Sequence, residues 1–244
     1  MGGLKKLFLS IFGLRNYLRF VSASFFILYR LGILRSNKKF DCHYYIHKLV
    51  KEGDHIIDIG ANMGYYTVLF SDIVKEQGKV YAVEPVELYR KILLKNIGRR
   101  KNVEIIPFAL GNENKDEVGM GIPGNDISRH GLTRITEKSS NNQAKTFSVS
   151  MRNPLELFSA IPKLDYIKID VEGYEMHIVP VMLPLIDKYH PILQIEATGE
   201  NKMLLISMLN NIGYKTFFVS GREFISVPSA GDAPDGDLFF VYQA

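Results

Sequence analysis

The chain has 244 residues, of which 46% are hydrophobic and 23% charged, a composition that supplies a globular core and excludes a disordered or fibrous protein. This length corresponds to one domain with an extension or to one large domain. The single cysteine, Cys42, excludes an intrachain disulfide and a thiolate zinc cluster, and it fits a reducing, cytoplasmic compartment.

The basic charge is confined to the start of the chain. Residues 1–40 contain eight Lys and Arg residues and no Asp or Glu, whereas the remaining residues contain 22 basic and 26 acidic side chains. The formal charge of +4 therefore comes from the N-terminal segment, and the rest of the chain carries −4. Because a mildly acidic domain is a poor surface for a polyanion, we expect no nucleic-acid partner.

The segment from Leu4 to about Leu34 has the periodicity of an amphipathic helix. Apolar residues recur at helical spacing and predict one broad stripe, with basic residues on an adjoining arc. Gly13 and Gly32 are expected to interrupt or end helices here. The stripe comprises Leu4, Leu7, Phe8, Ile11, Leu14, Leu18, Val21, Phe25 and Leu28, and the arc Lys5, Arg15, Arg19 and Arg30.

Two interpretations of this extension stay open. A transmembrane helix is disfavoured because the longest charge-free stretch, Phe20 to Tyr29, is shorter than the roughly 20 residues that a span needs. A cleaved signal peptide is disfavoured because Arg30 and Arg35 follow the apolar run without a small-x-small site. The helix either packs its stripe on the domain or lies on the inner membrane face as a peripheral anchor. We assign residues 1–50 to this extension and 51–244 to the main domain.

The main domain alternates short apolar strands with helices. Such alternation predicts a doubly wound α/β fold with a mostly parallel sheet covered on both faces, and the two closing strands are expected to form an antiparallel edge pair. The expected strands are His55–Ile59, Lys79–Val83, Val103–Phe108, Tyr166–Asp170, Ile192–Ala197, Lys215–Ser220 and Leu238–Tyr242. The expected helices are Tyr65–Lys75, Glu87–Asn96, Tyr174–Asp187 and Asn201–Asn211.

A polar stretch from Gly111 to Lys145 separates the third and fourth strands. It is either a surface insertion with a small hairpin or a lid that recognises substrate, since it adjoins the strand ends where ligands bind in such sheets. His130 and Arg134 within it are candidate ligands of an acidic or sugar substrate. A solvated loop explains these two residues equally well.

A glycine turn follows the first strand in Asp58-Ile-Gly60-Ala-Asn62-Met-Gly64. Its glycines permit a tight turn and a close backbone approach at a helix N-terminus, which predicts a cofactor site that includes Ala61. Asn62 stands where a dinucleotide motif has its second glycine. Asp58 would repel a pyrophosphate but attract the ammonium of a methionine moiety.

Acidic residues stand at the tips of three further strands. Glu84, followed by Pro85, ends the second strand, twenty residues past Gly64, where a carboxylate can accept both hydroxyls of a ribose. The fourth strand ends in Lys168-Ile-Asp170-Val-Glu172, and the fifth in Glu196.

Lys168 and Asp170 share one face of the fourth strand, and Asp170, Glu172 and Glu196 are expected to converge at the crevice. They can orient a substrate hydroxyl, accept its proton or bind a divalent cation, and we favour the first two roles. Capping of the following helix is an alternative for Glu172. Asp170, Glu172 and Lys168 are the candidate catalytic residues, and Glu196 a candidate substrate ligand.

The histidines carry weaker signals. His177 lies one helical turn after Gly173 and is more readily structural than a base. His43 and His47 are four residues apart without an acidic partner motif, so we interpret them as part of a connecting helix and not as metal ligands. No metal site is predicted.

Taken in order, these segments resemble the FkbM family of methyltransferases over roughly residues 50–200. The most specific match is Lys168-Ile-Asp170-Val-Glu172-Gly173-Tyr174-Glu175 downstream of the glycine turn. The other matching pieces are Asp58-Ile-Gly60-Ala-Asn62-Met-Gly64-Tyr-Tyr66, Val80-Tyr-Ala-Val-Glu84-Pro85, Leu94-Lys-Asn96, Ile106-Pro-Phe-Ala109-Leu-Gly111-Asn112 and Pro191-Ile-Leu-Gln194-Ile-Glu196. The chain departs from the family in Arg152-Asn-Pro-Leu-Glu156-Leu, where an Asp-acid-Leu element is common.

The resemblance implies a class I methyltransferase fold with a seven-stranded sheet and an antiparallel last strand. It implies S-adenosylmethionine as cofactor and O-methylation of a hydroxyl on a sugar, polyketide or related small molecule. By the same resemblance, Asp58, Gly60, Asn62 and Gly64 cradle the methionine end and Glu84 the ribose. The turn at Ala109 and Leu110 would meet the adenine edge, and Asp170 and Glu172 would face the methyl group and its acceptor.

Two other functions remain as alternatives. An oxidoreductase binding NAD or a nucleotide sugar could use the same kind of sheet, although Asp58 and the missing central glycine argue against it. A binding module without catalytic turnover could also retain the fold, although acids at all three strand tips argue against it. The sequence indicates neither the acceptor nor the oligomeric state.

Overall fold

The computed structural model describes residues 2–123, 133–135 and 143–243. The predicted ligand His130 lies outside these residues. The helices are α1 (Gly2–Arg30), α2 (Asp41–Leu49), α3 (Tyr65–Val74), α4 (Glu87–Ile97), α5 (Pro154–Phe158), α6 (Glu175–Tyr189) and α7 (Gly199–Asn210). The strands are β1 (His55–Ile59), β2 (Lys79–Val83), β3 (Val103–Ile106), β4 (Ala109–Leu110), β5 (Lys115–Pro123), β6 (Arg134–Ile135), β7 (Gln143–Arg152), β8 (Tyr166–Ile169), β9 (Ile192–Ala197), β10 (Tyr214–Ser220), β11 (Glu223–Ser226) and β12 (Gly236–Tyr242).

The main sheet has the strand order β11-β10-β12-β9-β8-β1-β2-β3. The five strands from β9 to β3 run parallel, and β12 inserts antiparallel between β9 and β10, which confirms the predicted antiparallel closing pair. All seven predicted strands are present, and β11 adds an eighth at the edge beside β10. β3 ends at Ile106, earlier than predicted, and Pro107 follows with no N–H to donate to a ladder.

The chain reverses its strand order between β1 and β8. From β1 it winds through α3, β2 and α4 to β3, and it returns to the other side of β1 with β8. The switch point therefore lies at the carboxyl ends of β1 and β8, the usual ligand position in an open α/β sheet. All four residues of β8 are buried, including Lys168 at 2% exposure, because helices cover both faces of the sheet.

The segment predicted as a polar loop or small hairpin contributes to a second sheet. β5 pairs antiparallel with β7 and with β6, and β4 pairs parallel with β7. Val149 and Met151 of β7 share a buried cluster with Ala109 and Tyr89, and the Tyr89 hydroxyl lies 2.7 Å from Thr133 Oγ1. The described part of the insertion thus contacts the main domain beside the crevice.

Helix α1 packs one side on the domain. Gly13, at φ 72° and ψ 164°, interrupts it, and Gly32, at φ 72°, follows its end, as predicted for both glycines. Leu18 is fully buried, and Phe25 packs its ring edge against Tyr65 at a centroid distance of 4.6 Å. In the part of the chain that the structure describes, no helix combines the length and apolarity needed to cross a membrane.

Gly60 makes the tightest backbone approach at the crevice. It has φ +83°, and a Cβ there would lie 1.8 Å from the Asp170 carbonyl oxygen. Gly98, at φ +60°, has no atom within 4 Å of a hypothetical Cβ. Both positions favour glycine by conformation, but only Gly60 is also required by packing.

We therefore predict that Gly60→Ala lowers the free energy of unfolding by about 2–4 kcal/mol, from backbone strain plus overpacking. Gly98→Ala, which carries only the conformational strain, is expected to cost about 1 kcal/mol. Urea denaturation of both variants measures the difference. Equal losses would show that the contact between Gly60 and Asp170 does not constrain the fold.

Candidate active site

A cavity of about 310 Å³ opens at the carboxyl ends of β1, β2, β8 and β9. Its size is at the lower end of the range for small-molecule sites. Its walls contain most of the residues that the sequence nominated. Those lining it are Asp58, Gly60, Ala61, Asn62, Glu84, Pro85, Ala109, Leu110, Lys168, Asp170, Glu172 and Glu196.

The glycine turn places two unsatisfied acceptors in this cavity. Asp58, on β1, is 1% exposed, and its Oδ2 accepts a hydrogen bond from Thr67 Oγ1 at 2.6 Å. Asp58 Oδ1 and Asn62 Oδ1 are both buried without a hydrogen-bond partner. Asn62 is held in the left-handed region at φ 50°, which is uncommon for a residue other than glycine. Buried acceptors without partners are rare in folded proteins, so both oxygens mark where a donor belongs.

Both glycines of the turn have tight packing contacts at the position of a Cβ. The Cβ position of Gly60 points at the backbone of Asp170, so this glycine lets β8 come close to β1. Gly64 is the left-handed N-cap of α3, and a Cβ there would lie 2.4 Å from Leu93 Cδ1. Gly64 is not among the cavity-lining residues, although the sequence had placed it in the cofactor site.

Glu84 binds the glycine turn to the tip of β2. Its Oε2 accepts the Asn62 amide at 2.8 Å, and its Oε1 accepts the Val86 amide at 2.7 Å. The side chain is 4% exposed, and burial raises its pKa to about 7 in spite of these two bonds. Each carboxylate oxygen keeps a second lone pair, so Glu84 can accept two further hydrogen bonds from a ligand.

Asp170 is held by a buried lysine at the end of β8. Lys168 Nζ lies 2.9 Å from Asp170 Oδ2, and Lys168 is 2% exposed. Burial acts to lower the pKa of Lys168, but the carboxylates of Asp170, Asp237 and Asp58 outweigh it and raise that pKa. Burial likewise acts to raise the pKa of Asp170, but Lys168 and a hydrogen bond from Glu196 lower it overall. Asp170 is therefore an anion paired with a cation.

Two further carboxyl groups lie beside that anion. Oxygens of Asp170, Glu172 and Glu196 all lie within 4.8 Å of one another, so the predicted convergence is present. Burial, followed by the Asp170 charge, raises the pKa of Glu196 to about 9. The same two causes raise the pKa of Glu172 to about 7. Near neutral pH, Glu196 is therefore protonated and donates a hydrogen bond to Asp170. Glu172 titrates in this pH range, so both its protonated and its ionised forms are populated.

The backbone directs Glu172 to the cavity. It adopts φ 53°, a left-handed conformation that costs on the order of 1–3 kcal/mol for a side-chain-bearing residue. No side chain of the described residues caps α6, whose N-cap is Tyr174, and the amides of Gly173 and Val171 are accepted by Glu175 Oε1 at 3.0 and 3.3 Å. Glu172 is thus available to a ligand.

The family profile described as the methyltransferase FkbM domain matches residues 58–216, more than half of the chain. The protein belongs to the FkbM methyltransferase family. The resemblance, the class I α/β fold and S-adenosylmethionine as the methyl donor are thereby confirmed. No curated protein sequence matches the chain.

Several solved structures superpose on this FkbM protein at low identity. A methyltransferase FkbM from Methylobacillus flagellatus has 15% identity and a TM-score of 0.48, with 81% of this chain and 50% of that chain covered. Aeropyrum pernix fibrillarin, crystallised with natively bound S-adenosyl-L-methionine, has 15% identity and a TM-score of 0.47 over 79% of this chain and 68% of that one. An S-adenosylmethionine-dependent O-methyltransferase from Thermotoga maritima has 15% identity and a TM-score of 0.45 over 84% and 65%.

His43 is a residue of this FkbM protein's cavity that the sequence did not reveal. The sequence predicts it only as part of a connecting helix. It does lie on helix α2, and it also lines the cavity. Its ring stacks on Tyr66 at 4.1 Å, and its Nδ1 is buried without a hydrogen-bond partner. Burial, reinforced by Lys168, lowers the pKa of His43 to about 3, so the imidazole is neutral. It precedes the family match, and no local motif marks it.

A buried polar network underlies the acidic cluster. Gln194 Nε2 donates to Asp237 Oδ1 at 2.9 Å and to the Tyr66 hydroxyl at 3.1 Å, and the Tyr166 hydroxyl donates to Gln194 Oε1 at 2.8 Å. Burial raises the pKa of Asp237 against the pull of Lys168. The sequence assigns none of these residues to the site. Asp237 lies on β12, and its position beside β9 depends on the order of the strands in the sheet.

Two other candidate residues, His177 and Arg134, do not line the cavity. His177 stacks on Tyr174 at 4.2 Å and does not line the cavity, in agreement with its structural interpretation. Arg134 of β6 is exposed and does not line the cavity either, although its charge acts to lower the pKa of Glu172. The insertion itself contributes Met120, Thr133 and Ile135 to the wall.

The raised pKa of Glu196 predicts how stability changes with pH. The folded protein keeps the Glu196 proton up to about pH 9, whereas an unfolded glutamate loses it near pH 4.5. Between these values the folded state binds more protons, so this residue's contribution to stability falls as the pH rises. Glu196→Gln keeps the neutral form and should be increasingly more stable than the wild type as the pH rises from 5 to about 9.

Thermal unfolding over this pH range measures the effect. The matched control is Glu76→Gln, which removes a carboxylate from an exposed site outside the cavity. A constant difference between Glu196→Gln and wild type at all pH values would contradict a proton held at Glu196.

Proposed function

We propose that the protein transfers the methyl group of S-adenosylmethionine to a hydroxyl oxygen of a sugar, a glycan or a related small molecule. The observation that supports this proposal is the cluster of Asp170, Glu172 and Glu196 in the cavity. Within this cluster, Glu172 has a pKa of about 7. A hydroxyl acceptor needs a group that takes its proton near neutral pH, and Glu172 has the matching pKa.

The donor end of the cavity fits S-adenosylmethionine through its unsatisfied acceptors. Asp58 Oδ1 and Asn62 Oδ1 lack donors, and the methionine ammonium carries three N–H groups. Glu84 has free lone pairs for the two ribose hydroxyls. Ala109 and Leu110, next to Phe108, supply an apolar wall for the adenine.

When bound, the sulfonium supplies a methyl group that is already electrophilic. The chain's own residues then have to align the acceptor oxygen and exclude water. Asp170 is fixed by Lys168 and by the proton of Glu196, so it can hold a substrate hydroxyl in one orientation. Glu172 would accept the proton of the acceptor hydroxyl, while the methyl–sulfur bond breaks and S-adenosylhomocysteine leaves.

The groups around that position favour a neutral acceptor that carries several hydroxyls. Protonated Glu196 and the neutral imidazole of His43 can form hydrogen bonds with hydroxyls of the acceptor, and neither adds charge to the site. Asp170 would repel an anionic acceptor group placed at the same point. Arg134 and His130 of the insertion are proposed as outer contacts to a sugar.

We also propose a cytoplasmic setting. Cys42 is unpaired, as expected in a reducing compartment. Burial, followed by the charge of Asp237, raises the pKa of its thiol, so it remains protonated and unreactive.

The donor assignment predicts different binding defects for two isosteric variants. Asp58→Asn should weaken S-adenosylhomocysteine about tenfold or more, because it removes the charge that faces the ammonium, and leave 5′-methylthioadenosine, which lacks the amino acid, unchanged. Glu84→Gln should weaken both ligands, because both carry the ribose. Isothermal titration calorimetry measures the affinity of wild type and of each variant for both ligands.

Asp72→Asn is the control, since Asp72 is paired with Arg100 on the exposed surface outside the cavity. If Asp58→Asn weakened both ligands equally, the ammonium would not be its partner. Equal affinity of Glu84→Gln and wild type for both ligands would remove Glu84 from the ribose site.

The catalytic assignment predicts a pH-dependent rate. Transfer of label from S-adenosyl-[methyl-³H]methionine to a panel of methyl glycosides and nucleotide sugars should rise as the pH passes about 7, where Glu172 loses its proton. Glu172→Gln should lower kcat about 100-fold or more and abolish this rise, and Asp170→Ala should abolish turnover. Both variants should still bind S-adenosylhomocysteine.

Glu76→Gln again serves as the control and should keep the wild-type pH profile. An unchanged profile in Glu172→Gln would exclude Glu172 as the base. Loss of activity in EDTA that Mg²⁺ restores would assign the acidic cluster to a divalent cation instead.

A further inference from the structure

Helix α1 exposes a second apolar face, opposite to the one that packs on the domain. At 100° per residue, Phe20, Ile27 and Leu31 fall within an arc of about 40°, roughly opposite Leu18 and Phe25. Their side chains are 59%, 58% and 67% exposed. The Leu31 amide donates to the Ile27 carbonyl at 3.0 Å, so Leu31 continues the helical turn. These three residues are termed the α1 ridge.

Exposed apolar side chains are frequent in the segment of the chain that contains this ridge. Large hydrophobic residues on protein surfaces are usually scattered, and a contiguous group marks an interaction site. In the described part of the chain, five of the eight large exposed hydrophobic side chains lie between residues 12 and 33. They are Phe12, Phe20, Ile27, Leu31 and Ile33.

The charge around the ridge is of one sign. Exposed basic side chains occur along the same segment at Arg15, Arg30, Arg35, Lys38 and Lys39; around α1, Arg30 falls nearer the ridge, whereas Arg15 lies about 140° away from it. The first acidic residue of the chain is Asp41, and its carboxylate accepts the Gly221 amide at 2.6 Å. The surface formed by residues 12–39 is therefore apolar and cationic, without an acidic residue of its own.

We propose that the α1 ridge docks on an anionic lipid surface. An amphipathic segment with apolar side chains beside Lys and Arg has the chemistry that inserts at the boundary between headgroups and acyl chains. A second copy of this chain is a poorer occupant, because packing one ridge on another would bring two sets of basic residues together with no acidic partner among them. The side of α1 that packs on the domain, at Leu18 and Phe25, is the one opposite the ridge.

The docking helix is also a support of the active-site wall. Phe25 contacts Tyr65 at a centroid distance of 4.6 Å and His43 at 5.4 Å, and both contacted residues line the cavity. The α1 ridge lies on the side of this helix opposite to these contacts. This surface lies outside the donor and acid cluster, so its test is independent of the proposed chemistry.

A pair of charge-matched variants tests the proposal. Ile27→Glu/Leu31→Glu places two acids on the ridge, and Met203→Glu/Leu204→Glu places two on α7, where the side chains are 43% and 55% exposed. Full-length wild type and both variants are co-sedimented with vesicles of phosphatidylcholine alone and of phosphatidylcholine mixed with phosphatidylglycerol. Circular dichroism and S-adenosylhomocysteine affinity verify that each variant is folded.

We expect wild type to bind the anionic vesicles and not the neutral ones, and to dissociate as salt screens the charges. Ile27→Glu/Leu31→Glu should lower the partition coefficient about tenfold or more, whereas Met203→Glu/Leu204→Glu should retain wild-type binding. Failure of wild type to bind, or equal losses in the two variants, would overturn the proposal. Sedimentation velocity that shows a dimer dispersed only by the ridge variant would overturn it in favour of self-association.

Discussion

The close approach of Asp170 to Gly60 is the constraint on which the site depends. The carbonyl of Asp170 occupies the space of the missing Gly60 side chain, so the ends of β8 and β1 meet backbone to backbone. This contact puts the glycine turn with its unsatisfied acceptors beside the acidic cluster. In a methyltransferase the distance between donor and acceptor decides the rate, because transfer needs near-attack geometry. A glycine that the sequence suggests for the cofactor therefore serves chiefly to bring the two halves of the site together.

Burial assigns different protonation states to three neighbouring carboxyl groups. Asp170 remains ionised because buried Lys168 is 2.9 Å away. For Glu196 and Glu172, burial and the neighbouring charge of Asp170 dominate, so their pKa values rise to about 9 and about 7. Like charges in one site push their pKa values apart, which yields a fixed anion, a hydrogen-bond donor and a titrating group from the same chemistry.

The N-terminal extension is part of the site as well as of the surface. One side of α1 supports Tyr65 and His43 in the cavity wall, and the other carries the α1 ridge. His43 contributes a neutral ring nitrogen without a partner, although it precedes the residues matched by the family profile. Residues of the cavity wall thus come from a segment outside the matched methyltransferase domain as well as from the strand tips.

The sequence by itself determined the parallel sheet, the glycine turn and the acidic residues at the strand tips. These features are local: apolar runs specify strands, and the carboxyl ends of neighbouring parallel strands meet at one edge, so Asp58, Glu84 and Asp170 converge wherever the fold forms. Only the tertiary structure decided the participation of His43 and Asp237, the sheet formed by the insertion, and the two faces of α1. It also decided that Gly64 does not line the cavity and that Glu196 holds a proton. Those properties depend on packing between distant segments and on desolvation, and neither is encoded in the spacing of residues along the chain.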